Sequence, residues 1–124
     1  MSETDKPETE NLFQYFISTN TPFAVVTFVG EMNKEASELL NECEQKIQDI
    51  SAKFYILYFR DVTGIAMESI PFLASLQQKL RAKGELRLCS LRPDVKDKLT
   101  KMGVVRGKEL TDNLKATLLQ LKEL

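Results

Sequence analysis

The spacing of apolar residues switches several times along the chain, and each switch marks an element. Leu12 to Ile17 reads as an extended segment, and the turn formers Ser18-Thr19-Asn20-Thr21-Pro22 lead from it into the apolar run Phe23 to Val29. Together they predict an antiparallel hairpin. Beyond Gly30-Glu31-Met32, Asn33 is placed to cap a helix reaching about Ile50, in which Ala36, Leu39, Leu40, Cys43 and Ile47 recur at helical spacing. Phe54 to Phe59 is almost continuously apolar, which predicts a central strand covered on both faces.

The alternation then continues. A second helix is expected from Glu68 to Ala82, burying Ile70, Leu73, Leu76 and Leu80, with Pro71 tolerated in its first turn and Gly84 as a left-handed stop. Leu86 to Leu91 predicts a fourth strand, and Pro93 opens a short helix carrying Val95, Leu99 and Met102 and closed by Gly103. Val104-Val105 reads as a brief last strand. A final helix from about Thr111 turns Leu114, Leu118 and Leu121 inward. The order β-β-α-β-α-β-α-β-α predicts an α/β fold with a mixed sheet, its later strands parallel and joined by right-handed helical crossovers.

Length and charge narrow the classes of function. A chain of 124 residues holds one core, read as a domain over residues 12–124 behind an acidic tail, residues 1–11, that is too polar to fold. The tail carries Glu3, Asp5, Glu8 and Glu10 against Lys6, the wrong charge for a secretory signal, so a cytoplasmic location is expected. The apolar runs fall far short of the ~20 residues of a membrane-spanning helix, which argues against membrane insertion. A net charge of −1 gives no general attraction to nucleic acid.

Catalytic equipment is sparse. The chain has no histidine, which removes the commonest general base and metal ligand together. Cys43 and Cys89 have no CxxC spacing and read as reduced core thiols, and no glycine-rich phosphate loop occurs, so no metal and no cofactor is expected. Asp61, placed just past a central strand, invites comparison with an aspartyl-phosphate receiver. That reading fails because Val29 is followed by Gly30 and the lone acid Glu31 rather than by the acidic pair that holds a cation. Asp61 is then a solvated loop acid near Arg60.

Gly30-Glu31-Met32-Asn33-Lys34-Glu35-Ala36 resembles the "GELD..TA" segment of STAS domains. Phe54 to Gly84, with Asp61-Val62-Thr63-Gly64-Ile65 ahead of a helix ending Arg81-Ala82-Lys83-Gly84, is similar to the strand, loop and second helix of that family. Leu86-Arg87-Leu88-Cys89-Ser90-Leu91-Arg92-Pro93-Asp94-Val95 resembles its fourth strand and "P.V" helix start, and Met102-Gly103-Val104 its "TGL"-like exit. The similarity runs from about Leu12 to Leu124 and points to the anti-sigma factor antagonists. It implies a non-catalytic module that binds kinase-like anti-sigma factors or other STAS proteins in bacterial-type signalling and regulation of transcription. Binding in that family is controlled by phosphorylation of a hydroxyl at the start of the second helix.

This chain departs from the pattern at that switch. The family's "DSSG" or "DSTG" loop falls on Ala66-Met67-Glu68-Ser69, placing Glu68 at the phosphorylated hydroxyl and Ala66 at the aspartate. Tyr58 and Asn33 replace two further aspartates. Glu68 fixes a state resembling the phosphorylated one, or the domain uses this surface for a different partner, or the residue merely favours the first helical turn through the dipole. Ser69 is a displaced phosphate acceptor or a first-turn cap. Thr63 is a second modification site or a turn hydroxyl, and Asn33 is first a helix cap. Met67 and Phe72 form a partner-binding patch or pack an irregular helix start. Two further functions stay open: a small-ligand or anion sensor at the second helix's amino end, which Glu68 disfavours by competing for the same amides, and a scaffolding subunit of a stressosome-like or lipid-transport assembly.

Overall fold

The computed structural model describes residues 12–123; the expected acidic tail lies outside the described residues. Five strands and four helices follow in the order β1 Gln14–Asn20, β2 Phe23–Met32, α1 Ala36–Ile47, β3 Phe54–Ile65, α2 Ile70–Lys83, β4 Glu85–Cys89, α3 Pro93–Lys101, β5 Leu110–Thr111 and α4 Leu114–Lys122. Short 3-10 turns at Met67–Ser69 and Gly107–Glu109 precede α2 and β5. The sheet order is β1-β2-β3-β4-β5, with β1 antiparallel to β2 and every later pair parallel.

Alternation along the strands splits the apolar residues between two cores. Ala24, Val26 and Phe28 of β2 and Tyr55, Leu57 and Phe59 of β3 face the larger one, where α1, α2 and α3 contribute Leu40, Ile47, Leu73, Leu76, Leu80 and Leu99. Phe23, Phe54, Ile56 and Cys89 face the other side, under Leu121 of α4 with Leu114 and Leu118 partly buried. The expected double cover of β3 follows from this period of two.

Several boundaries differ from the sequence reading, each for a physical reason. β3 runs on through Arg60-Asp61-Val62-Thr63-Gly64-Ile65 instead of ending at Phe59, because Val62 and Ile65 bury their side chains. Two register shifts against β2 absorb the extra length. Asp61 is therefore a strand residue, paired with Arg60 at 3.3 Å, and not a loop acid. The last strand is Leu110–Thr111, not Val104–Val105, whose apolar side chains pack against the core without joining the sheet. Accordingly α4 starts at Leu114 rather than Thr111, capped by the Asn113 side chain on the Ala116 amide at 2.8 Å.

Gly84 is not a left-handed stop. Its φ of −174° is extended, and the need for glycine is spatial, since a Cβ there would lie 2.6 Å from the Lys53 carbonyl oxygen. Gly103 does take the left-handed conformation expected of a helix stop, with φ 73°. Met102, expected on the buried face of α3, is 44% exposed.

Both cysteines are free and buried, one in α1 and one in β4. Burial pushes the Cys43 thiol up to about 12, and the Cys89 thiol is raised by the same cause. The thiolate is the reactive species, so the folded chain resists a thiol reagent at pH 8 and releases two titratable thiols on unfolding. Rapid modification of Cys43 in the native state would contradict its placement.

Candidate functional site at the start of the second helix

The junction between β3 and α2 is built against the β2–α1 connection. Chain direction reverses after Ile65 through Ala66, whose backbone is extended, into the 3-10 turn Met67–Ser69 and then α2. The Ala66 amide donates to the Met32 carbonyl at 2.8 Å, extending the β2–β3 pairing by one bond. Pro71 lies in the first turn of α2, where its missing amide leaves no helical bond unmade.

Asn33 and Ser69 meet at this junction. The Asn33 side-chain oxygen accepts from the Ala36 amide at 3.2 Å, so it caps the turn entering α1 although regular helix begins three residues later. Ser69 is buried, and its hydroxyl donates to the Asn33 carbonyl oxygen. This differs from a first-turn cap, in which the hydroxyl would accept from a helix amide. Here it ties the amino end of α2 to the amino end of α1. From below, Lys98 of α3 donates to the Ile65 carbonyl at 2.7 Å, which fixes the end of β3.

Glu68 occupies the second position of the helical segment that starts after Ala66, and it is exposed. Its carboxylate sits where unpaired amides and the positive end of the helix dipole favour an anion. Met67 beside it is 53% exposed and Phe72, in the first turn of α2, is 42% exposed. The surface at the amino end of α2 thus carries one fixed negative charge between two uncovered apolar side chains. Thr63 is exposed on β3 as a strand residue, not a turn hydroxyl, and has no part in the Asn33–Ser69 junction. Tyr58 faces away from the larger core, with the Arg60 guanidinium 5.5 Å from its ring centre.

Lys98 was not foreseen as part of the junction. Its position on α3 carries no local signal, because the carbonyl it reaches is 33 residues away in sequence. Among the described residues, no cluster of His, Cys, Asp or Glu has the arrangement to hold a metal ion, and no helix is long and apolar enough to cross a membrane.

Comparison with known proteins places this geometry in a family. No curated protein matches the chain in sequence. Among solved structures, the unphosphorylated form of the anti-sigma factor antagonist SpoIIAA is similar with a TM-score of 0.72 at 16% identity, covering 90% of this chain and 98% of that one. A serine-to-glutamate form of RsbS from Moorella thermoacetica gives 0.72 at 18% identity, covering 89% of this chain and 96% of its own. The murine anion transporter Slc26a9 gives 0.77 at 12% identity, matching 99% of this chain to 24% of the transporter. These likenesses establish the fold. The family model for the STAS domain matches residues 16–117, and with the hairpin, the parallel crossovers and the β3–α2 junction all in place, the chain belongs to the STAS domain family.

Proposed function

We propose that the chain is a non-catalytic regulatory module of the anti-sigma factor antagonist kind, acting in the cytoplasm, with the amino end of α2 as its docking face. Its partner is a kinase-like anti-sigma factor or another STAS protein. Met67 and Phe72 supply apolar contact, Glu68 supplies a permanent charge where phosphorylated relatives carry a reversible one, and Asn33 with Ser69 holds the face in shape. The carrying observation is the contrast between adjacent residues: Glu68 is exposed, whereas the Ser69 hydroxyl is buried and bonded to Asn33. A kinase needs an accessible hydroxyl, and phosphate adds ~2 negative charges that a buried site cannot solvate. Glutamate holds about half that charge at all times.

Capture of partners by the wild-type chain, Glu68→Ser and Glu68→Ala tests the reading. Both substitutions are expected to change affinity for the same partner in the same direction by about fivefold, the effect of an exposed charge pair worth about 1 kcal/mol. Identical partners held with equal affinity by all three chains would remove Glu68 from the docking face.

A further inference from the structure

We propose that the outer edge of β1 is a self-association surface, on which a second copy of this chain adds its own β1 antiparallel and continues the sheet across a two-fold axis at Phe16. This surface is separate from the amino end of α2 and does not depend on how that end functions. β1 is the terminal strand of the sheet, and among the described residues nothing pairs with its outer edge. Edge strands ordinarily carry charge, proline or a bulge that blocks further pairing. Here residues 11–30 contain no charged side chain, and β1 pairs with β2 over all seven residues without a register shift.

The register follows from hydrogen-bond phase. A two-residue loop makes its flanking residues, Asn20 and Phe23, a hydrogen-bonded pair, so alternation turns the amides and carbonyls of Phe13, Tyr15, Ile17 and Thr19 outward. An antiparallel partner must match outward residues with outward residues. Pairing Tyr15 with Ile17 of the second copy does so, and it places Phe16 opposite its own symmetry mate. Phe16 is 54% exposed on the sheet face away from α1, so the pairing covers two large apolar rings at once.

Charge favours the same register. A cavity of about 560 Å³ between β1 and α1 reaches Gln14 and Phe16 at the edge, and on the other face it is lined by Phe13, Tyr15, Ile17, Leu39, Glu42 and Lys46. The Tyr15 hydroxyl donates to Glu42 at 2.5 Å, and Lys46 lies 3.4 Å from Glu42 and 5.6 Å from the centre of the Tyr15 ring. A helical turn advances about 5.4 Å and two strand residues about 6.6 Å, so the α1 backbone at Lys46 lies toward Ile17 when that at Glu42 lies toward Tyr15, while the Lys46 ammonium reaches back to Glu42 and the Tyr15 ring. Rotation about Phe16 exchanges those positions. The Glu42–Lys46 pair of each copy then meets that of the other in antiparallel order, a complementarity that an uncharged or single-sign partner lacks.

Sedimentation equilibrium of the full chain is expected to show a monomer–dimer equilibrium between about 1 and 100 µM. Phe16→Lys, a substitution at an exposed position, is expected to give monomer at all concentrations, with the Tm of the wild-type chain diluted to monomer. Lys46→Glu is expected to weaken the dimer about tenfold, and the charge-swapped Glu42→Lys/Lys46→Glu chain to recover to within about threefold. Under oxidation, Phe16→Cys is expected to form an intermolecular disulfide and Ser18→Cys, which pairs with Gln14, is not. A wild-type chain that stays monomeric, a Phe16→Lys chain that still dimerises, or a Ser18→Cys chain that cross-links as fast as Phe16→Cys would each overturn the proposal.

Discussion

Arg81→Ala lowers the stability of the fold by about 3–5 kcal/mol, the largest expected effect of any single change outside the apolar core, because it leaves a buried carboxylate without its partner. Arg81 on α2 holds Glu109 through two bonds, at 2.7 and 2.8 Å, and reaches the Val104 carbonyl at 3.3 Å. The Glu109 side chain is only 5% exposed against 19% for Arg81. Donating these hydrogen bonds to the Glu109 carboxylate raises the pKa of the Arg81 guanidinium above its ordinary value. This pair clamps the 3-10 turn before β5 onto α2, and Gln77 adds a bond to the Val104 carbonyl at 2.9 Å. Glu109→Ala is expected to cost less, since the stranded guanidinium is closer to solvent. An Arg81→Met/Glu109→Leu chain is expected to cost less than either single change, as removing both charges removes the desolvation problem. Urea denaturation of the four chains checks the ordering, and a double change that costs as much as Arg81→Ala or more would contradict it.

Phe28→Ala is expected to cost about 3–5 kcal/mol by the same measurement, this time through a cavity. Phe28 is fully buried and stacks on Phe13 at 5.6 Å and meets Phe59 edge-on at 5.3 Å between ring centres. Those three rings form a row from the approach to β1 through the middle of β2 to the centre of β3, so the space left by alanine opens between the sheet and the helices over it, where the fixed strand spacing holds the flanking rings apart. Collapse cannot fill it. A loss under about 1 kcal/mol would mean that Phe13 and Phe59 repack into the gap.

The sequence carried the architecture well wherever burial follows a period. Ile70, Leu73, Leu76 and Leu80 are all buried on α2, and Phe54 to Phe59 is covered on both faces, because 3.6- and 2-residue spacing maps directly onto packed surfaces. What it concealed depends on partners distant in the chain. Asp61, Thr63 and Gly64 have turn chemistry, yet pairing with β2 and burial of Val62 and Ile65 hold them in a strand. Val104-Val105 has strand composition, but β4 pairs with Leu110 and Thr111, delivered there by the Arg81–Glu109 clamp. Gly84 is required by the Lys53 carbonyl, 31 residues upstream, rather than by its own torsion.

The candidate site divides in the same way. Local chemistry placed Glu68 in the first helical turn, where the structure has it, and Asn33 as a cap, which it is for the turn ahead of α1 rather than for α1 itself. The burial of Ser69 was not legible, since its partner, the Asn33 carbonyl, lies 36 residues away. That bond matters most for the functional reading. It ties up the hydroxyl nearest the expected switch and leaves a carboxylate exposed beside it.

The intact mass of the chain, purified together with its partners from the cells that make it, tests this most directly. The account predicts a mass without phosphate, with residue 69 unmodified and partners still bound. Stoichiometric phosphate on Ser69 or Thr63 would contradict it, because the surface would then be switched by a hydroxyl after all.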